Sequence, residues 1–132
     1  MIIINLDSTL KPINYYVVSK GLPNRTTSYN GGIIKTALLS NASSVIMIHN
    51  HPDGLNHFSY GDIMASIRLD YLLSFVDIEL RDSVLIPNGG SPKYLITENE
   101  EDFCSLKLKY NIKLKRKHYK EFKEITDKIS SE

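Results

Sequence analysis

Val45-Ile46-Met47-Ile48-His49-Asn50-His51-Pro52-Asp53-Gly54-Leu55-Asn56-His57-Phe58-Ser59-Tyr60-Gly61-Asp62 is the stretch on which the fold turns. Its first four residues are apolar, rich in β-branched types and too few for a typical helix. They predict a buried strand whose C-terminal end delivers His49. Pro52 and Gly54 then turn the chain. Ser59 is a hydroxyl N-cap with Asp62 three residues on, as in a capping box, and Ile63, Ile67 and Tyr71 recur beyond it at helical spacing. Strand end, loop and helix start therefore fall in one place, where open α/β sheets usually bind ligands.

The residue types gathered there point to a metal ion. His49 and His51, two apart in extended or loop backbone, can converge on an ion at about 2.0–2.1 Å where the chain leaves the strand. Asp62, in the first helical turn, offers a carboxylate oxygen as a third ligand. Three protein ligands leave a fourth position for water, the arrangement of catalytic rather than structural zinc. Ser59, on the same turn, can aim its hydroxyl at a developing oxyanion. Plainer readings stand beside this one: Ser59 and Asp62 also read as a simple helix cap, which does not exclude ligation. His49-x-His51-x-Asp53 is similar to a metallo-β-lactamase signature, but Gly54 stands where that signature needs another histidine.

On these residues the chain resembles the JAB/MPN (JAMM) metalloprotease family, whose His-x-His is followed by seven residues, a serine, two residues and an aspartate. His49, His51, Ser59 and Asp62 fit that pattern without a gap. Asn41-Ala42-Ser43 through His49-Asn50-His51-Pro52, and the opening Leu6-Asp7-Ser8-Thr9-Leu10-Lys11-Pro12-Ile13, resemble its RadC branch. The resemblance covers residues 2 to 100. It implies a JAB/MPN fold of cytidine-deaminase-like architecture, a zinc ion, hydrolysis of amide or isopeptide bonds in a protein or peptide substrate, and a link to DNA repair. It also implies a glutamate upstream of the first histidine, near the start of the preceding helix, acting as general base. Here that position falls on Gly32, and no glutamate occurs before Glu79. Glycine takes no proton, and general bases contribute ~10²–10⁴-fold to rate. Asp53 in the motif loop, or His57, is the expected substitute on nearness in sequence. Two functions thus stay open: a metal-dependent hydrolase, and a binding module that keeps the scaffold but has lost turnover.

Outward from the motif, the chain reads as one mixed α/β sheet flanked by helices. Ile2 to Leu6 and Asn14 to Ser19 predict a hairpin joined by a turn from Asp7 to Pro12. Gly21 to Asn24 breaks it, and Thr26-Thr27-Ser28 extends toward a helix. Ile33, Ile34, Ala37 and Leu38 mark one face of that helix, which ends near Asn41. Gly31-Gly32 reads either as a flexible helix start or as backbone that admits close approach of a ligand. After a helix over residues 60 to 74, two strands are expected, Phe75 to Leu80 and Ser83 to Ile86, with Arg81-Asp82 between them. A turn from Pro87 to Pro92 and a short strand from Lys93 to Ile96 follow.

At 132 residues, 42% of them hydrophobic, the chain can bury one sizeable core. Residues 1–100 form the expected domain, and 101–132 a basic extension packed on it. A net charge of +1 points to no particular partner. The tail differs: residues 105 to 132 hold nine Lys/Arg against four acids. Leu106, Leu108, Tyr110, Ile112 and Leu114 alternate with lysines at period 2, as in a strand, while Phe103, Leu106 and Tyr110 also suit a helix. Tyr119, Phe122, Ile125 and Ile129 form the apolar side of a final helix. The charge reads as a solvated face or as a patch for nucleic acid. A single cysteine, Cys104, excludes an internal disulfide and fits a reducing cytosol. No stretch approaches the ~20 apolar residues that span a bilayer. Met1-Ile2-Ile3-Ile4 lacks the basic start of a signal peptide, so a cytoplasmic protein with no membrane partner is expected.

Overall fold

The computed structural model describes residues 1–18, 30–51 and 56–131. Its elements are β1 (Ile2–Leu6), β2 (Pro12–Val17), α1 (Asn30–Leu39), β3 (Ser44–Asn50), α2 (Tyr60–Ser74), β4 (Glu79–Ile86), β5 (Lys93–Tyr94), α3 (Leu95–Glu98) and α4 (Glu100–Ser130). The sheet order is β2-β1-β3-β4-β5, with β3 and β4 parallel and every other pair antiparallel. This is the expected mixed α/β sheet with helices. The expectations for Gly21–Asn24, Thr26–Ser28 and the Pro52–Gly54 turn lie outside the described residues.

The hairpin closes on Asp7. Its carboxylate accepts from the Thr9 N–H at 2.8 Å, the Thr9 hydroxyl at 2.7 Å and the Lys11 N–H at 3.0 Å, and Leu10 takes the left-handed φ of 65° that the turn requires. The Thr9 hydroxyl, then the two backbone donors, hold the Asp7 carboxyl below its ordinary value. The second strand begins earlier than its apolar residues suggest, at Pro12, and the Val18 N–H continues the pairing by donating to the Met1 carbonyl.

Register then decides which side chains meet. Tyr16, Ile3 and Met47 are lateral neighbours across β2, β1 and β3, so they share a face. On that face Ile3, Val45 and Met47 pack with Ile33 and Ala37 of α1 and Leu69 and Leu73 of α2 in one buried cluster. His49, two residues beyond Met47 on β3, points to the same side.

One element departs from the sequence reading. Glu79–Ile86 is a single strand, not two, and Phe75 to Asp77 is the turn that ends α2. Arg81-Asp82 is not a break: the pairing of β3 with β4 skips Arg81, a bulge that keeps the strand continuous. Asp82, only 5% exposed, is satisfied by four donors, the N–H groups of Ser83, Ile96 and Thr97 and the Thr97 hydroxyl. Beside the bulge, the Leu80 N–H donates to Asp70 of α2 at 3.2 Å. The last strand is likewise shorter than expected, because Leu95 and Ile96 enter α3, whose first N–H groups Asp82 accepts from.

The chain divides into two units, Met1–Glu100 and Glu101–Glu132. The second is almost wholly α4, one continuous helix of 31 residues, so the period-2 alternation over 106 to 114 is not a strand. No Gly or Pro interrupts residues 100 to 131, which lets the helical spacing of Tyr119, Phe122, Ile125 and Ile129 extend back through the lysines. Among the described residues no helix is long and apolar enough to cross a membrane.

Candidate metal centre

β3 carries His49 out of the core and His51 one residue past its end, while α2 returns Asp62 on its first turn. The return is fixed by the cap that the sequence predicts. Ser59 is extended (φ −78°, ψ 163°), its hydroxyl accepts from the Asp62 N–H at 3.1 Å, and Asp62 Oδ2 accepts from the Ser59 N–H at 2.9 Å. A capping box normally faces solvent, but here its carboxylate also faces two imidazoles. His51 Nε2 lies 2.9 Å and His49 Nε2 3.6 Å from Asp62 Oδ2. The three side chains are 12%, 13% and 22% exposed for His49, His51 and Asp62, so they are screened but reachable.

The two rings lie 5.1 Å apart at a 48° tilt, and Phe58 packs edge-on against His49 at 5.8 Å. Phe58 was not singled out from the sequence; its only signal is a place directly before the N-cap. Burial pushes the Asp62 carboxyl up, but the attraction of His49 together with the Ser59 N–H and hydroxyl more than offsets it, and the group is held well below the usual carboxylate range. It therefore stands ionised beside two imidazoles at neutral pH.

One ligand atom from each of His49, His51 and Asp62 lies within 4.8 Å of the others, the one such cluster among the described residues. Tetrahedral zinc ligands at ~2.0–2.2 Å stand ~3.3 Å apart, so small side-chain rotations close the set. Two buried ring nitrogens, His49 Nε2 and His51 Nδ1, have no hydrogen-bond partner. Buried polar atoms left unpaired are costly, and a cation between the rings and the carboxylate resolves that for His49. The residues present fit a metal ion.

Of the remaining residues considered for the site, Ser59 is in place at the cap. His57 is exposed and outside the cluster, and Asp53 lies outside the described residues. A cleft of about 360 Å³ opens beside His51, lined by Asn50, His51, Ile86, Pro87 and Asn88. At Gly31-Gly32 the described residues bring one side chain close, that of Tyr16. A Cβ built on Gly32 would lie 2.8 Å from the Tyr16 hydroxyl, whereas one on Gly31 meets nothing within 4 Å.

Comparison with known proteins places the chain in a family. Similar relatives include UPF0758 proteins of Cellvibrio japonicus (36% identity over 84 residues, 64% of this chain and 38% of the relative), Pseudomonas fluorescens (33% over 84 residues, 64% and 38%) and Finegoldia magna (31% over 86 residues, 65% and 39%). The matched region spans less than two fifths of these relatives' length. A family model, the RadC-like JAB domain, matches residues 1–108, a span that holds the whole sheet, the capping box and all three clustered side chains. By that match the chain belongs to the RadC-like JAB domain family.

Proposed function

We propose that this domain is a zinc-dependent hydrolase of amide or isopeptide bonds in a protein or peptide substrate. The observation that carries the reading is the convergence of His49, His51 and Asp62 within 4.8 Å, with a buried, unpartnered ring nitrogen on His49. A zinc ion held there would lower the pKa of a water molecule toward neutrality and polarise the substrate carbonyl. The chain's own groups supply the rest. Asp62, fixed by the Ser59 N–H, keeps its charge directed at the imidazoles. The Ser59 oxygen accepts from the Asp62 N–H, which leaves its own proton to donate toward a developing oxyanion. Phe58 excludes water from one edge of His49, and the cleft beside His51 receives the substrate segment. Asp53, which lies between β3 and α2 in the sequence, is the proposed proton acceptor in place of the missing glutamate.

A second reading is favoured by Gly32 itself: with no carboxylate at that position, the domain binds metal and partner without turnover. α4 supports a partner for either reading. Between Phe103 and Lys120 it carries seven Lys/Arg and no acid, a density suited to a nucleic-acid backbone and to a role alongside DNA repair. The lone free cysteine, Cys104, is consistent with a cytoplasmic setting.

Elemental analysis of protein purified without chelator tests the metal reading. About one zinc per chain, lost in His51→Ala, is the expected result. Protein free of divalent metal after zinc reconstitution and desalting would overturn it.

A further inference from the structure

Along α4, Ile112, Lys115, Tyr119, Phe122, Thr126 and Ile129 follow one another at steps of 3, 4, 3, 4 and 3 residues. That is the spacing of the a and d positions of a coiled coil, and on a helix it makes one narrow stripe. Its four apolar members are all exposed, Tyr119 at 70% and Phe122 at 68%, and Ile125 beside them is exposed as well. Lys113, Lys117 and Lys120 fall on the opposite side of the helix. Apolar side chains scattered singly over a surface need no explanation, but a stripe in register over about five turns marks an interaction site.

The pattern of the stripe selects what covers it. Set residue 112 of one helix level with residue 129 of an antiparallel copy, and Tyr119 falls level with Phe122 and Lys115 with Thr126. Every layer is then apolar against apolar or polar against polar. The Thr126 hydroxyl already donates to the Lys123 carbonyl at 2.9 Å, so its lone pairs are left to accept from the Lys115 ammonium. The stem of Lys115 meanwhile lies along the apolar stripe.

Charge favours the same alignment. Residues 111 to 120 hold five Lys/Arg and no acid, whereas residues 121 to 130 hold three acids and two lysines. The antiparallel register lays the basic half of one helix beside the acid-bearing half of the other, while a parallel one would lay basic beside basic. Size sets the strength. Ile112, Tyr119, Phe122, Ile125 and Ile129 of two copies, at roughly 100 Å² for each side chain, bury about 1,000 Å², the lower bound of a specific interface. We propose that the stripe from Ile112 to Ile129 is a self-association surface, through which two copies of this chain pair antiparallel along α4 in a weak, concentration-dependent dimer.

Sedimentation equilibrium of the full chain tests this. The molecular mass should double between about 1 μM and 1 mM, and the mass of one chain throughout would overturn the proposal. Phe122→Glu puts a carboxylate at a position exposed in the single chain, so the melting temperature at low concentration should stay that of the parent. Its dimer should be weaker by about tenfold or more, and undiminished pairing would overturn the assignment. Orientation has its own readout, with Cys104→Ser as background and a short bismaleimide as cross-linker. Lys115→Cys mixed with Thr126→Cys should cross-link, and neither should do so alone, because like positions in the antiparallel pair stand about 16 Å apart along the axis. Cross-linking of each variant to itself would show a parallel pair and overturn the register. Binding of a chain that stays monomeric to phosphatidylserine vesicles would give the stripe to a lipid surface instead, and overturn the proposal as well.

Discussion

Asp62 has two tasks that a single substitution separates. As the third residue of α2 it closes the capping box, and as a half-buried carboxylate it faces His49 and His51. In Asp62→Asn the amide oxygen still accepts from the Ser59 N–H, so the helix start survives. The loss of charge in the first turn costs no more than about 1 kcal/mol without metal. Zinc at a hundredfold its Kd stabilises a folded chain that alone binds it by about 2.7 kcal/mol. For 132 residues the unfolding entropy is about 0.28 kcal/mol/K, so that stabilisation is a rise of about 10 °C in Tm. Ser59→Ala is the converse control. It forfeits the hydroxyl that accepts from the Asp62 N–H, a loss of about 1 kcal/mol, yet keeps all three ligands and hence the zinc-dependent rise. Differential scanning fluorimetry of the three proteins, with and without zinc, gives the comparison. The expected pattern is a rise in the parent and in Ser59→Ala and almost none in Asp62→Asn. An equal rise in Asp62→Asn would refute the role given to its carboxylate.

Three further outcomes are expected. If the domain hydrolyses amides, Asp53→Asn should slow turnover by ~10²-fold or more at neutral pH, and an unchanged rate would remove Asp53 as proton acceptor. Asp7, held below its ordinary value by Thr9 and Lys11, contributes stability that is full above the unfolded carboxylate range near pH 4 and is lost as pH falls through the folded value. Urea titrations of Asp7→Asn should show a deficit at pH 7 that shrinks below pH 4; a deficit that grows with acid would contradict the sign. If α4 grips a nucleic-acid backbone through four of its basic residues, affinity measured by fluorescence anisotropy should fall ~150-fold between 50 and 200 mM salt, and a flat response would exclude that partner.

The parts of the fold that were legible in the sequence are those specified locally. The capping box at Ser59 and Asp62, the helix over residues 60 to 74 and the hairpin turn at Asp7 each depend on residues within a few positions of one another. The strand ending in His49 was legible for a similar reason, as an apolar run bounded by polar residues. What escaped depends on partners distant in sequence. Arg81-Asp82 looks like a break because nothing nearby reveals that Ile96 and Thr97 will donate to the Asp82 carboxylate. The alternation over residues 106 to 114 suits a strand and a helix equally, and the length of uninterrupted helix settles it. At Gly32 the family resemblance implied a glutamate that the sequence lacks, but nothing local showed that the Tyr16 hydroxyl, 16 residues earlier, would lie 2.8 Å from a Cβ there. The three clustered side chains were read from their spacing, whereas the burial that leaves His49 Nε2 unpartnered is visible only in three dimensions.

The most direct measurement is an anomalous difference map, collected at the zinc edge, from crystals grown with zinc. One peak within about 2.0–2.2 Å of a ring nitrogen of His49, a ring nitrogen of His51 and a carboxylate oxygen of Asp62 is the expected result. A map empty at that point, with the imidazoles and the carboxylate turned away from one another, would contradict the account.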